Sequence, residues 1–457
     1  MQTPFRQNAS FREAASTLGF GKTFVEQIEN VAVTIFGDLR WTEEREGDEC
    51  FLRNLQSICD ALHSQTLPTM RAITELGRDA DFLCSSSGHY HFLKALNFAV
   101  MACIEPSMPC ALVATVRNEG PFLLEWLAHN RAIGINNIYI YTNNNTDGST
   151  ELLQKLAEFG IIKLILNEDS GVEPQTRAYE HSFFLLPELR KFQWLFYLDA
   201  DEFFIPADQY DFRVENIISA IKSKFLEKLP SCVCYNWNWI GSGGAVRRSA
   251  QPVSERFVYG NPHPVVKSLI RPSAVLPNIQ SAAAWHIPRP VPGGFGVNSS
   301  FEQVGVETAD IACNLSGGKI NHYWNKSFEE FMIKRQRADD VGWHNREIES
   351  FFAWDVIPSR QSFDPFPWEL TKRLRSEHEF LLSIPGTFDI VHRVDELYSA
   401  LSSRICHSDQ LAAIYLSGRR RSFIMGCLKH PLSAGGSVEL NSSSIASELL
   451  SLFPLQL

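Results

Sequence analysis

The sequence predicts an α/β protein: a doubly wound, mostly parallel sheet flanked by helices, with helical extensions at both ends of the chain. Two observations predict it. Between residues 111 and 198, short apolar segments alternate with segments of helical periodicity. Each apolar segment ends in polar residues, as parallel strands do where they reach the carboxyl edge of one sheet. Because open α/β sheets bind ligands at that edge, we expect the functional groups to gather there.

The individual elements follow from local signals in the chain. Pro121 suits the first turn of a helix, and Gly134 is a glycine stop at its end. A polar loop over residues 143–149 starts the next helix. The predicted strands cover residues 111–116, 138–141, 161–166 and 195–198, and the predicted helices cover residues 121–134, 150–159 and 175–189. The fourth strand therefore ends directly before an acidic segment at residues 199–202.

This acidic segment is the most informative stretch of the sequence. Asp199 and Asp201 stand where a buried strand ends, so the turn lets both carboxylates reach one divalent ion. Mg²⁺ and Mn²⁺ take oxygen ligands and are often shared with substrate phosphates. The alternative is a surface turn with solvated acids, which an isolated Asp-x-Asp motif does not exclude.

Length and composition limit the remaining possibilities. The 457-residue chain is longer than one ordinary domain, so we divide it into a helical region at 1–107, a catalytic domain at 108–345 and an aromatic-rich, helical region at 346–457. The net charge of −10 argues against a nucleic-acid partner, which needs a basic surface. The ten cysteines are scattered without CxxC pairs, so neither a zinc ribbon nor a disulfide framework is indicated.

No segment of the sequence predicts membrane insertion. The first residues are polar and lack the apolar core of a signal peptide. The apolar run at residues 95–104 is too short to cross a bilayer. We therefore expect no integral membrane segment and a cytoplasmic location, and leave the oligomeric state open.

The sequence lacks the phosphate-binding loops of several nucleotide-binding classes. No Gly-x-Gly-x-x-Gly follows the first strand, and no Walker Gly-Lys-Ser/Thr occurs, which disfavours dinucleotide dehydrogenases and P-loop NTPases. Nucleotidyl transferases need a glycine- and basic-rich loop after the first strand, and this is also absent. A parallel sheet with Asp-x-Asp after its fourth strand points instead to sugar-nucleotide chemistry.

Several motifs follow one another in order through residues 110–340. They are Val116-Arg117-Asn118-Glu119, Leu124-Glu125-Trp126-Leu127, residues 141–149, Leu198-Asp199-Ala200-Asp201-Glu202-Phe203, Ser254-Glu255-Arg256-Phe257, Val266-Lys267-Ser268 and Asn321-His322-Tyr323. As an ordered set they resemble glycosyltransferases of the family 2 type and are most similar to the family 92-like branch of the GT-A enzymes. The resemblance implies a GT-A fold and a nucleotide-sugar donor, usually UDP-linked.

The resemblance assigns the acidic segment to a metal. Asp199 and Asp201 would hold Mn²⁺ or Mg²⁺, which stabilises the leaving diphosphate. GT-A enzymes often supply a third ligand from later in the chain, and His322 stands there. A hydrogen-bonded core histidine is the alternative, and an imidazole ligand would suit Mn²⁺ better than Mg²⁺.

The resemblance also implies the donor-binding residues. They are Arg117, Asn118, Glu119, Asn143, Asp147, Gln175 with Tyr179, and Lys326. Thr142 stands where many relatives carry an acid, which leaves the ribose or base contact open, and Asp147 has the alternative of capping the next helix. Lys334 and Arg335 either contact the diphosphate or form the solvated face of a helix.

Inversion at the anomeric carbon needs a general base for the acceptor hydroxyl. Glu255 is a candidate, and Glu202 is another, although its position beside the metal ligands favours a structural role. Asp339 and Asp340 are weaker options. The acceptor half of the domain also contains Trp237, Trp239 and Trp285, which either stack on sugar faces or pack in the core.

Together these observations predict a hexosyltransferase-like, metal-dependent glycosyltransferase. It would move a sugar from a nucleotide-sugar donor to a glycan or other hydroxyl acceptor, with inversion. The alternative is a non-catalytic sugar-nucleotide sensor or scaffold derived from a transferase. That alternative would need a broken metal motif, whereas Asp199, Asp201 and His322 are all present.

Overall fold

The computed structural model describes residues 106–167, 174–184, 186–276, 286–290, 293–305, 310–335, 348–355, 362–405 and 408–429. The strands are β1 (Met108–Val116), β2 (Ile138–Thr142), β3 (Lys163–Leu166), β4 (Phe192–Tyr197), β5 (Glu202–Pro206), β6 (Cys232–Ile240), β7 (Tyr259–Ile270), β8 (Val275–Leu276), β9 (Arg289–Pro290), β10 (Gly296–Asn298), β11 (Gln303–Val304), β12 (Gly318–His322) and β13 (Ser362–Phe363). The α-helices are α1 (Gly120–Ala132), α2 (Ser149–Glu158), α3 (Pro174–Phe184), α4 (Val214–Lys224), α5 (Val253–Arg256), α6 (Phe328–Arg335), α7 (Ile348–Trp354), α8 (Trp368–Ser383), α9 (Thr387–Ile405) and α10 (Ser408–Lys429). The predicted helical region before residue 106, Trp285, Asp339 and Asp340 lie outside the described residues.

The central sheet has a parallel half and a mixed half. In the parallel half the strand order is β3-β2-β1-β4, with each neighbouring pair parallel. This confirms the predicted α/β sheet flanked by helices. Beyond β4 the sheet continues through β7 and β6, which pair antiparallel. Strand β12 pairs parallel to β6 and antiparallel to β5. The half of the sheet beyond β4 therefore contains both parallel and antiparallel pairs.

Two local predictions needed correction. The helix predicted over residues 175–189 ends at Phe184, and a separate 3₁₀ helix, Pro187–Lys191, leads into β4. Pro187 explains the break, because proline lacks an N–H and restricts the residue before it. Strand β5, which follows the acidic turn and is buried along its whole length, was not predicted from the sequence.

The C-terminal helices share the core of the sheet. Leu370, Leu374 and Leu381 of α8 and Tyr398 of α9 belong to the same buried cluster as α1 and the central strands. A second cluster joins Phe328 and Phe331 of α6 to Phe351, Phe352, Leu411 and Tyr415. Because helix α1 packs in the first cluster against the central strands and against α8 and α9, most of its residues are buried. No helix in the described ranges has the length and apolar character needed to cross a membrane.

A buried histidine makes stability depend on pH. His129 of α1 is completely buried, and its Nε2 lies 2.8 Å from the carbonyl oxygen of Phe204. Because the carbonyl only accepts, Nε2 carries the proton of a neutral ring. Burial lowers the pKa of His129 to about 4, from 6.5. Between these values the unfolded chain binds a proton that the folded protein does not, so this stability is present above pH 6.5 and is lost as pH falls.

We therefore expect the wild-type protein to lose about 2 kcal/mol more stability than a His129→Gln variant when pH falls from 7 to 5. Glutamine can keep an N–H donor but does not titrate, so the difference between the two proteins isolates this group. Urea unfolding of both proteins at the two pH values is the measurement. Equal pH dependence of the two proteins would contradict the assignment.

Candidate active site

The acidic segment forms a tight turn at the carboxyl end of β4. The Glu202 amide donates to the Asp199 carbonyl at 3.0 Å, and the Tyr323 amide donates to the Asp201 carbonyl at 2.8 Å. The antiparallel pairing of β5 and β12 places His322 opposite Glu202. The turn therefore brings both aspartates beside the end of β12, at the edge where the parallel strands finish.

Asp199 is held by residues from two other elements. Gln175 Nε2 and the Tyr179 hydroxyl, both from α3, donate to Oδ1 at 2.8 and 3.3 Å. Lys267 Nζ lies 2.9 Å from Oδ2. The role of Gln175 and Tyr179 in donor binding stays a prediction. Lys267 was not predicted as a site residue, although a lysine inside the apolar strand β7 is a signal that could have identified it.

Glu202 contacts the acidic turn from its buried side. Its side chain is completely buried, Oε2 accepts from the Asp199 amide at 2.9 Å, and Lys267 Nζ lies 3.4 Å from the same oxygen. Burial raises the pKa of Glu202 to about 8. These contacts orient the turn, as the alternative structural role for Glu202 would require.

Asp201 has a different set of partners. Lys334 Nζ of α6 contacts Oδ2, and His322 Nε2 lies 3.6 Å from Oδ1. Burial acts to raise the pKa of Asp201, but Lys334 and His322 outweigh it and hold that pKa well below the usual range. Burial lowers the pKa of His322. The aspartate is therefore ionised and the imidazole is neutral at neutral pH.

Two lysines meet at Glu119, which follows β1. Lys326 Nζ and Lys334 Nζ each lie 3.9 Å from a different oxygen of this buried carboxylate. Lys326 adopts a φ of 51° and its ammonium lies 4.3 Å from the centre of the Phe122 ring. The first strand, the acidic turn and α6 thus contribute charges to one continuous cluster.

The polar loops after β1 and β2 brace each other. Asn118, with a φ of 53°, accepts from the Thr146 amide at 2.6 Å, and its own amide donates to Asn145 Oδ1 at 2.6 Å. Asp147 accepts from the Gly120 amide at the start of α1 and from the Ser149 amide at the start of α2, although the N-cap residue of α2 is Gly148. Among the other residues predicted to bind the donor, Arg117 is half-buried and Asn143 is buried at the same edge.

Aromatic rings surround His322. The Trp237 ring centre lies 4.3 Å from the His322 ring centre, and the Trp239 centre lies 5.0 Å away. Both tryptophans lie on β6 two residues apart, so they share one face of the sheet. His286 also contacts Trp237, with ring centres 5.5 Å apart.

Glu255 lies on the short helix α5 and contacts another element. Its Oε1 pairs with Arg375 of α8 at 2.8 Å, while neighbouring Arg256 pairs with Glu330 of α6. The predicted role of Glu255 as the base therefore stays a prediction. The ion pair with Arg375 connects Glu255 to α8 and not to the acidic turn.

The residues at the turn fit a divalent ion by their chemistry. Among the described residues, no group of three or more histidine, cysteine, aspartate or glutamate side chains is arranged as a preformed metal site. Asp201 Oδ1 and His322 Nε2 nevertheless face each other at a separation longer than an ordinary hydrogen bond. An ionised carboxylate and a neutral imidazole are both metal ligands, so this pair suits a shared cation.

The family model of glycosyltransferase family 92 matches residues 113–344, just over half of the chain. The chain belongs to glycosyltransferase family 92. This confirms the predicted family.

Curated family 92 proteins from two plants are also similar. A Ricinus communis protein is 32% identical over 249 residues, covering 51% of this chain and 39% of the relative. An Oryza sativa subsp. japonica protein is 23% identical over 170 residues, covering 36% of this chain and 27% of the relative. The chain thus matches well under half the length of these relatives.

Among solved structures, the chain is similar to S. aureus TarS. The match to residues 1–349 of TarS has 11% sequence identity and a TM-score of 0.26, and covers 73% of this chain and 95% of that chain. The same values describe the match to TarS in complex with UDP. A likeness this weak carries no argument about this family 92 chain.

Proposed function

We propose that this family 92 protein is a metal-dependent transferase that moves a sugar from a UDP-linked donor to a hydroxyl group of a glycan or other acceptor, with inversion. One observation carries the proposal. The turn between β4 and β5 presents Asp199 and Asp201 at the carboxyl edge of the parallel strands, with His322 beside them. That edge is where open α/β sheets bind nucleotides.

In this proposal Asp201 and His322 hold Mn²⁺ or Mg²⁺, with Asp199 as a further ligand. The ion supplies charge stabilisation for the leaving diphosphate. Gln175 and Tyr179 fix the orientation of the Asp199 carboxylate through their hydrogen bonds to Oδ1. The remaining predicted donor contacts lie in the loops after β1 and β2, which reciprocal hydrogen bonds between Asn118 and the second loop hold together.

The acceptor would lie on the β6 side of the ion. Trp237, which is half-buried there, can stack on the apolar C–H faces of a sugar and supports a glycan acceptor, whereas Trp239 is buried. Glu255 stays the proposed general base, and Glu202 acts as a positioning residue because its carboxyl group is completely buried. The cytoplasmic location expected from the sequence also stays a prediction.

The test is release of the nucleoside diphosphate from a panel of nucleotide sugars, with Mn²⁺ and then with EDTA. Many transferases hydrolyse their donor slowly, so no acceptor is needed at the start. We expect one UDP-sugar to turn over with metal and not with EDTA. Metal-dependent UDP binding in calorimetry without turnover of any donor, even when candidate acceptors are added, would favour the sensor. Absence of binding would contradict the site assignment.

A further inference from the structure

In the structure Asp201 forms an ion pair with Lys334, whereas the proposed function assigns this carboxylate to a divalent cation. Lys334 Nζ contacts Asp201 Oδ2 and lies 3.9 Å from Glu119 Oε1. The side chain of Lys334 is 14% exposed, so this contact is shielded from the screening that weakens surface pairs. A divalent ion at Asp201 would meet the lysine ammonium, and like charges at this separation repel strongly where water is excluded.

Lys326 adds a second buried ammonium group, and the described residues do not use its hydrogen-bonding capacity. Its side chain is 4% exposed, and its ammonium forms no hydrogen bond with any residue that the structure describes. Its nearest ionic partner is Glu119 Oε2, at 3.9 Å. A buried ammonium at this distance from its carboxylate retains hydrogen-bonding capacity for another anion.

The positive charges of Lys326 and Lys334 are offset locally while Asp201 stays paired with Lys334. Lys326 and Lys334 then face two carboxylates, Glu119 and Asp201. If a cation binds Asp201, Lys334 loses its closest carboxylate contact, and positive charge accumulates next to the cation. Phosphate oxygens bind well to such charge-assisted donors.

Resting on the proposed function, we propose that Lys334 exchanges partners during donor binding. It neutralises Asp201 in the donor-free protein and moves to the diphosphate of the donor when the divalent ion takes Asp201. Lys326 is the second, fixed diphosphate ligand. The long, flexible lysine side chain permits this movement without a change in the backbone.

The exchange makes the ion and the diphosphate bind as a unit. The ion alone must displace Lys334 and leave a buried ammonium group poorly compensated. The diphosphate alone must compete with Asp201 for the same ammonium group. Each ligand therefore raises the affinity of the other, and the coupling is reciprocal.

The test is a Lys334→Met variant studied by calorimetry with Mn²⁺ alone and with UDP at saturating Mn²⁺. We expect the variant to bind Mn²⁺ alone about tenfold more tightly, because the competing ammonium is gone. We expect UDP at saturating Mn²⁺ to bind about 10- to 100-fold more weakly, because a phosphate ligand is lost. A lysine with a merely structural role would not move the two affinities in opposite directions.

The matched control is Lys319→Met on β12, which removes a lysine paired with Asp364 rather than Asp201. Both affinities should stay near the wild-type values in this control. If Lys334→Met does not fold, Lys334→Gln removes the charge while keeping a hydrogen-bond donor, and the same opposite changes are expected. Unchanged or weaker Mn²⁺ binding in a folded Lys334 variant would overturn the exchange, as would unchanged UDP binding.

Failure of the exchange is distinguishable from failure of the proposed function. Wild-type protein that binds Mn²⁺ and UDP, with a Lys334 variant unchanged in both affinities, refutes only the exchange. Wild-type protein that binds neither ligand refutes the metal and nucleotide site, and the exchange with it.

Discussion

Asp201→Asn is expected to lower metal-dependent donor hydrolysis by about 10³-fold while the protein stays folded. Asparagine has the shape of aspartate but carries no charge, so it is a poor ligand for a hard cation. The backbone contact from the Tyr323 amide to the residue 201 carbonyl does not depend on the side chain. The loss should therefore appear in turnover and in metal affinity, rather than in the shape of the turn.

The measurement is the rate of UDP release at saturating Mn²⁺, with thermal unfolding as a check on the fold. Asp395→Asn is the matched control, because it removes an aspartate that pairs with Arg248 and is 48% exposed. That variant should keep wild-type turnover. An Asp201→Asn protein with turnover within about tenfold of wild type would show that this carboxylate does not hold a required ion.

Glu330→Gln is expected to cost about 3–5 kcal/mol of unfolding free energy. Glu330 is buried and accepts from both terminal guanidinium nitrogens of Arg256, at 3.0 and 2.7 Å, and from the Ser327 amide at 2.8 Å. Burial alone would raise the pKa of Glu330, but Arg256 and Ser327 lower it below its usual value. Removing the charge leaves the guanidinium of Arg256 buried without its counterion, which is the costly case.

Glu255→Gln provides the control for this prediction, because it breaks a neighbouring but more exposed pair. Glu255 is 28% and Arg375 54% exposed, so we expect a loss below about 1 kcal/mol. Urea unfolding compares the two variants, and a Glu330→Gln variant as stable as Glu255→Gln would contradict the argument. Adding Arg256→Met to Glu330→Gln should cost less than the sum of the single changes.

The same control variant tests the proposed base. Glu255→Gln should keep the fold, so its transfer rate to an acceptor reports on chemistry rather than on stability. A fall in transfer rate of at least about 100-fold would support Glu255 as the general base. An unchanged rate would remove it from the mechanism.

The order of strands and helices up to the acidic turn was predictable from sequence because the signals are local. Apolar segments, a proline in the first turn of α1 and a glycine after it determine where elements begin and end within a few residues. The parallel order then requires the polar ends of β1, β2 and β4 to meet at one edge. The position of Asp199 and Asp201 at that edge follows from this geometry.

The charges around the aspartates were decided by the tertiary structure. Lys267 and Lys334 are 68 and 133 residues from their aspartate partners, and no local pattern encodes such pairs. By itself each lysine could equally have been a solvated side chain, because the cost of burying an ammonium depends on a partner that only the folded chain supplies. The same reason separates Glu202 from Glu255: both are single acids in the sequence, but packing buries one beneath the turn and pairs the other with Arg375. The sequence by itself therefore determined the sheet edge and the acidic turn, whereas the packing of β7 and α6 decided which lysines neutralise the two aspartates.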